Sequence, residues 1–250
     1  MGFAPLTCTA ALLLMSALRA ILAAPVWPHP GNQALESTLL FEGDIVIPGN
    51  NSDDRTAVTE DRLLWPGGKI PFVVESSLGR HTEMIQEAME EIESKTCVRF
   101  IPRSMERDYI TIFRGSGCYS AIGRMRRAQP VSLGYGCLYK GTMVHELLHA
   151  VGFYHEHSRS DRDIYIDVFT ENAKQDAVTQ FEKLKSWQNR LLTPFDMESV
   201  MLYGSHAFAR APGLLTMLAK DGSHLTEVYD KPGLSAADVI RVNKLYNCSK

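Results

Sequence analysis

The chain has 250 residues, 45% of them hydrophobic, and a formal net charge of -3 at pH 7. This length suits one sizeable domain with its own core plus a short appendage. The small net charge and the lack of a long run of like charges give no reason to expect a nucleic acid or an anionic membrane as a partner.

The first 24 residues contain an apolar run, residues 10–18, that is too short to span a bilayer. Such a run predicts a secretory signal peptide over residues 1–24, cleaved between Ala20 and Ala24. An uncleaved anchor is the alternative. The signal peptide predicts a secreted, extracellular protein with no membrane attachment after cleavage.

Residues 25–55 are rich in proline, glycine, asparagine and aspartate and leave little to build a core. This composition indicates a linker or a propeptide. Its apolar residues, 39–41 and 45–47, flank Glu42-Gly43-Asp44, which indicates a strip that docks on the domain.

The globular domain begins after Arg55 with a series of strands and one long helix. Strands are predicted at Ile70–Val74, Cys97–Ile101, Tyr109–Phe113 and Val131–Leu133 from their β-branched and aromatic content. A helix is predicted over residues 82–95, where the apolar residues Ile85, Ala88, Met89 and Ile92 form one stripe.

A metal-binding pattern follows, beginning with His145 and His149. Residues four apart share one face of a helix, so these two imidazoles can bind one zinc ion, with Glu146 beside them. Gly152 can take the left-handed conformation that ends the helix and brings His155 round as a third ligand. Three protein ligands leave one position open, which is typical of a catalytic rather than a structural zinc site.

The second half is predicted to be loop-rich. Residues 172–184 are predicted to be helical, and a final helix begins at Ser235, with Asp238 in its first turn. Four cysteines remain outside the signal peptide and allow three pairings, which an oxidising compartment would convert to disulfides. Their positions favour Cys118 with Cys137 and Cys97 with Cys248.

The zinc motif continues with further matching residues, and a second motif, Ser-Val-Met-x-Tyr-Gly, occupies residues 199–204. The matching residues are Phe153, Glu156, Arg159, Asp161, Arg162 and Asp163. Together they resemble the astacin family of metzincin metalloendopeptidases, in a minimal form with signal peptide, propeptide and catalytic domain only. The resemblance implies that Met201 forms a hydrophobic base below the zinc, that Tyr203 is a mobile fifth ligand, and that the same two disulfides form.

The resemblance also implies an α+β fold of two subdomains with the active-site cleft between them. The N-terminal half would hold a mixed twisted sheet and two long helices. The C-terminal half would be rich in loops and would end in a helix.

The resemblance further implies that the chain is made as a zymogen. Phe41-Glu42-Gly43-Asp44 is similar to the Phe-x-Gly-Asp switch of astacin zymogens, in which the aspartate binds zinc. From the residues alone, an exposed turn aspartate at Asp44 is the simpler interpretation. The resemblance places the propeptide at 25–55 and the catalytic domain at 56–250, with cleavage by a trypsin-like protease after Arg55. The new amine at Thr56 would then be buried and linked through water to Glu156.

The implied activity is zinc-dependent hydrolysis of internal peptide bonds by a monomer that takes proteins or peptides as substrates. Glu146 would be the general base, and Tyr203 would stabilise the oxyanion. Two alternatives stay open: a catalytically silent zinc-binding module, and a metzincin of another family such as an adamalysin or a matrixin.

Overall fold

The computed structural model describes residues 29–47 and 61–248. The predicted signal peptide and the predicted cleavage point at Arg55 and Thr56 lie outside the described residues. The α-helices are α1 (Pro30–Leu35), α2 (Thr82–Glu93), α3 (Lys140–Val151) and α4 (Ala236–Leu245). The strands are β1 (Ile45–Val46), β2 (Lys69–Val74), β3 (Arg99–Pro102), β4 (Tyr109–Phe113), β5 (Cys118–Ala121), β6 (Ala128–Leu133), β7 (Ile166–Val168) and β8 (Met217–Ala219).

Six strands form one mixed sheet in the order β1-β5-β6-β4-β2-β3. Neighbouring strands are parallel except β5 and β6, which are antiparallel. The N-terminal segment supplies β1, which covers β5 with Ile45 opposite Ser120 and Val46 opposite Ala121. The sequence pattern does not predict β5, because four residues after Gly117 are too few to establish an alternation.

The core lies between this sheet and the two long helices. The predicted stripe of α2 is buried as expected, at Ile85, Ala88, Met89 and Ile92. In α3 every residue from Gly141 to Val151 is buried, including the two histidines and the glutamate of the zinc motif. A helix buried all round needs partners on every side, so α3 is fixed between the sheet and the C-terminal half.

The C-terminal half is loop-rich, as predicted, with one small antiparallel sheet of β7 and β8. The helix predicted over 172–184 is instead a 3-10 helix, Gln175–Phe181, with only three buried residues. That burial is too small to stabilise a longer α-helix. The final helix α4 begins as predicted, with Ser235 and Asp238 forming a reciprocal capping box.

Two disulfides join Cys97 to Cys248 and Cys118 to Cys137. The first fastens the end of α4 to the segment before β3, and the second fastens β5 to the loop before α3. None of the described helices is long and apolar enough to cross a membrane. The predicted α+β class is therefore confirmed, with a sheet and two long helices in the first half and loops with a terminal helix in the second.

Candidate metal centre

Three histidines meet where α3 faces the C-terminal half. His145 and His149 lie one turn apart on α3, and Gly152 ends the helix with a φ of +131°, in the positive range that glycine tolerates. The chain then reverses, and His155 returns to the same point. The Nε2 atom of His145 lies 3.1 Å from Nε2 of His149 and 3.1 Å from Nε2 of His155.

The other ring nitrogen of each histidine has a hydrogen-bond acceptor. Nδ1 of His145 lies 2.7 Å from the carbonyl of Val200, and Nδ1 of His149 lies 2.7 Å from the carbonyl of Phe153. A carbonyl can only accept, so each of these two rings carries a proton on Nδ1, and in the neutral ring the Nε2 lone pair is then directed at the other histidines. Converging lone pairs repel, and a cation between them removes the repulsion.

Asp44 supplies the fourth ligand atom of the cluster and is fully buried. Its Oδ2 lies 3.0 Å from Nε2 of His145, and its Oδ1 lies 3.3 Å from Nε2 of His149 and 3.2 Å from Nε2 of His155. Four ligands about 2.0 Å from a tetrahedral zinc ion lie about 3.3 Å from one another. The four side chains therefore fit a zinc ion in both chemistry and spacing.

Tyr203 lies at the same point. Its hydroxyl donates to Oδ2 of Asp44 at 2.6 Å and is 3.1 Å from the carbonyl of Leu35. The adjacent Met201 is buried, and its carbonyl accepts from the amide of Glu156 at 2.8 Å. The Ser-Val-Met-x-Tyr-Gly segment thus contacts the ligands in two ways, through the Val200 carbonyl and through Tyr203.

The electrostatics of these side chains favour one positive charge at the centre of the cluster. Burial lowers the pKa of His145 to about 4. Burial also lowers the pKa of His155, but Asp44 and Glu42 outweigh it and raise that pKa to about 9. The pKa of Asp44 is well below its usual value because the histidines outweigh the effect of burial. A divalent cation would occupy the place of that proton, since zinc requires deprotonated ligands.

Glu146 is buried within the centre, and neither of its carboxylate oxygens has a hydrogen-bond partner among the described residues. Burial raises the pKa of Glu146 well above its usual value, and the charge of Asp44 raises it further. An unpartnered buried carboxylate is costly for the fold. Such a group is more typical of a functional than of a structural residue.

Glu156 is buried behind the ligands and is held by two arginines. Its Oε1 accepts from Arg159 Nη1 at 2.9 Å and from the amide of Asp196 at 2.9 Å, and its Oε2 pairs with Arg241. Burial raises the pKa of Glu156 although both guanidinium groups oppose that rise. Arg241 Nη2 also donates to Oδ1 of Asp238 at 2.8 Å. Both residues lie on α4, so this helix helps to hold the carboxylate of Glu156.

The structure brings together most of the residues predicted for the site: His145, Glu146, His149, His155, Asp44, Met201, Tyr203 and Glu156. Thr56 lies outside the described residues. Sequence reasoning missed two residues at the centre. Glu42 contacts His155. It occupies the variable position of the Phe-x-Gly-Asp motif, so the motif gave no signal for it. His157 is buried, with its ring stacked 5.1 Å from that of Tyr203.

Comparison with known proteins identifies the family. The family model described as Astacin, a family of peptidases, matches residues 57–247. The chain is 41% identical over 216 residues to "Astacin-like metalloprotease toxin 1" of Loxosceles intermedia, an alignment that covers 84% of this chain and 81% of that protein. It is 40% identical over 225 residues to "Zinc metalloproteinase nas-4" of Caenorhabditis elegans, covering 88% and 71% of the two chains.

Among solved structures, the fold is similar to that of high choriolytic enzyme 1, a hatching enzyme zinc-protease from Oryzias latipes. The TM-score is 0.68 at 35% identity, over 80% of this chain and 98% of that chain. The family match spans the three histidines, Glu146 and Tyr203. The chain belongs to the astacin family of zinc metalloendopeptidases.

Proposed function

We propose that this zinc metalloendopeptidase is made as a secreted zymogen, with residues 1–24 as signal peptide, 25–55 as propeptide and 56–250 as catalytic domain. A trypsin-like protease would activate it by cleavage after Arg55. The observation that carries the proposal is the position of Asp44. Its carboxylate lies among the three ligand nitrogens and bonds to Tyr203, where a substrate would have to react.

The N-terminal segment also covers the strand that a substrate would use. Its strand β1 pairs in parallel with β5, which is otherwise an edge of the sheet. An extended peptide can bind such an edge through main-chain hydrogen bonds. Removal of residues 25–55 would therefore release both the metal position and the peptide-binding edge.

The chemistry after activation follows from the residues that Asp44 now blocks. His145, His149 and His155 would hold zinc, which when bound acts as a Lewis acid on the scissile carbonyl and lowers the pKa of water. Glu146 would take a proton from the attacking water and deliver it to the leaving amine. The Tyr203 hydroxyl, freed from Asp44, would donate a hydrogen bond to the oxyanion.

A small cavity beside Glu156 supports the anchoring of a new N-terminus. It has a volume of about 50 Å³ and is lined by Glu156, Arg159, Arg190 and Arg241 among others, which leaves room for a few water-sized groups. Arg190 also pairs with Asp61 at 2.8 Å. Because Asp61 lies five residues after Thr56, a freed amine at Thr56 is within reach of this cavity.

Secretion is supported by the apolar run at residues 10–18 and by the two disulfides. Disulfides persist in oxidising compartments and are rare in the cytosol. The alternative function is a silent zinc-binding module, which would keep the three ligands without turning over peptides.

The test of catalysis is hydrolysis of a proteome-derived peptide library by the chain that begins at Thr56. We expect cleavage at internal peptide bonds that stops with a chelator and returns with zinc. Glu146→Gln should bind a full equivalent of zinc and lose about 10²- to 10⁴-fold in turnover. A fully zinc-loaded wild-type chain that cleaves no peptide would favour the silent module instead.

A further inference from the structure

A tight loop carries Asp44 into the metal centre, and it carries a second acidic side chain as well. Phe41 and Ile45 exchange two backbone hydrogen bonds of 3.1 and 3.0 Å, which close a three-residue loop of Glu42, Gly43 and Asp44. Both carboxylates of this loop are buried: Asp44 is 0% exposed and Glu42 is 2% exposed.

Glu42 contacts a metal ligand from the side away from the metal. Its Oε2 lies 2.8 Å from Nδ1 of His155, whose Nε2 faces Asp44. Among the described residues, Glu42 is the only hydrogen-bond partner of that Nδ1. The corresponding nitrogens of His145 and His149 bond to backbone carbonyls of the catalytic domain itself. His155 is therefore the one ligand whose outer partner belongs to the N-terminal segment.

The backbone at Glu42 indicates that its side chain is needed there. Glu42 has a φ of +50° and Gly43 a φ of +98°. Glycine or asparagine adopts the left-handed region more readily than glutamate does. A glutamate in this conformation, with its carboxylate buried against a ligand, fits a role for the side chain rather than for the turn.

We propose that Glu42 is a positioning residue that completes a carboxylate–histidine–zinc triad at His155 in the uncleaved chain. Resting on the zymogen proposed above, this makes the propeptide hold the metal through two carboxylates, Asp44 at the ion and Glu42 behind the third ligand. A carboxylate at the outer nitrogen fixes the ring and makes the imidazole a stronger ligand. Cleavage and release of the propeptide then loosen His155 at the moment when the site opens.

The competing explanation is that Glu42 is only one more contact between propeptide and domain. Glu36 is the matched control for that explanation. It is a mostly buried glutamate of the same segment, and it pairs with Lys174 at 2.9 Å, a residue outside the metal centre. Loss of Glu36 should loosen the segment without changing the outer partner of any ligand.

The experiment measures zinc release from uncleaved protein. The parent chain begins at Pro25 and carries Arg55→Gln, so that it stays intact. Zinc-loaded parent, Glu42→Leu, Glu42→Gln and Glu36→Gln are mixed with the chromogenic chelator 4-(2-pyridylazo)resorcinol, and the transfer rate is followed. Loss of an outer-shell partner typically weakens metal binding about 10- to 100-fold.

We expect Glu42→Leu to release zinc at least about 10-fold faster than the parent. Glu42→Gln should fall between them, because its amide oxygen still accepts from Nδ1 but carries no charge. Glu36→Gln should match the parent. Equal release rates for Glu42→Leu and the parent, or an equal acceleration in Glu36→Gln, would overturn the proposal.

Folding is controlled within the same series. With Arg55 restored and cleaved, every variant gives the same chain from Thr56 onward, so all must then share one kcat/KM and one zinc release rate. The outcome is also separable from the zymogen proposal. If the intact parent cleaves peptides, latency fails whatever the release rates are; if latency holds and the release rates are equal, only the role of Glu42 fails.

Discussion

Each imidazole of the metal centre is oriented by a hydrogen bond on its far side, and the three bonds have different origins. His145 bonds to the carbonyl of Val200 and His149 to that of Phe153, whereas His155 bonds to Glu42. The histidine spacing predicted the ligands. It could not predict their outer partners, because these come from segments distant in sequence or from a backbone carbonyl whose direction depends on the turn.

The role of Tyr203 can be tested by removing one oxygen atom. Its hydroxyl is the group that donates to Asp44, and in the opened site the same hydroxyl would face the oxyanion. Tyr203→Phe in the chain from Thr56 should lower kcat by about 10²- to 10³-fold, as expected for one oxyanion donor, with a small change in KM. Steady-state kinetics on a single peptide check this, and wild-type kcat in the variant would exclude Tyr203 as a donor.

At the level of elements, α4 supports the metal centre through its capping residue. Asp238 accepts from Ser199 Oγ at 2.7 Å, from the amide of Val200 at 2.9 Å and from Arg241 at 2.8 Å. Val200 in turn bonds to His145. The sequence predicted the start of this helix from Ser235 and Asp238. The link to residues 199–200 was not predictable, because nothing in local sequence shows which distant amides a buried carboxylate will accept from.

Replacing Asp238 tests this support. Asp238→Ala leaves the Val200 amide and Ser199 Oγ without their acceptor and removes one of the carboxylates around Arg241, which keeps its pair with Glu156. Breaking a buried ion pair from one side costs about 3 to 5 kcal/mol, and the lower end is expected here because Arg241 keeps a partner. Ser235→Ala is the control: it removes the cap and one hydrogen bond from Ser235 Oγ to Asp196 but keeps the Asp238 carboxylate, and should cost about 1 to 2 kcal/mol. Urea unfolding of the oxidised chain from Thr56 measures both free energies of unfolding. Equal losses in the two variants would mean that Asp238 acts only as a helix cap.

Among the helices and strands, the sequence pattern was sufficient to predict some elements and insufficient for others. The stripe of α2 followed from apolar spacing, and the strand Tyr109–Phe113 followed from its β-branched and aromatic content. Strand β5 is too short to show an alternation, and Gln175–Phe181 has too little buried surface to extend as an α-helix. Both errors fall in segments whose structure depends on tertiary contacts.

At the level of the whole molecule, the two disulfides close loops of very different length. Cys97 and Cys248 are separated by 151 residues, whereas Cys118 and Cys137 are separated by 19. Crosslinks over longer loops restrict the unfolded chain more. The bond between Cys97 and Cys248 also holds α4, and with it Asp238, against the N-terminal half of the domain.

Removal of the two disulfides should therefore lower the free energy of unfolding by different amounts. The loop-closure model predicts a loss of about 5 kcal/mol for Cys97→Ala with Cys248→Ala, and about 3 kcal/mol for Cys118→Ala with Cys137→Ala. Urea unfolding of the two double variants checks the order. A larger loss for the shorter loop would show that packing around β5, rather than chain entropy, dominates.

At this scale our proposal is that the N-terminal segment closes the metal site of its own chain, because Asp44 lies among the three ligand nitrogens. The most direct test is the initial rate of peptide hydrolysis by the zinc-loaded chain that begins at Pro25, before and after cleavage following Arg55, with mass spectrometry to verify each form. We predict no chelator-sensitive hydrolysis from the intact chain and rapid chelator-sensitive hydrolysis from the chain that begins at Thr56. An intact chain that hydrolyses peptides as fast as the cleaved one would contradict this account.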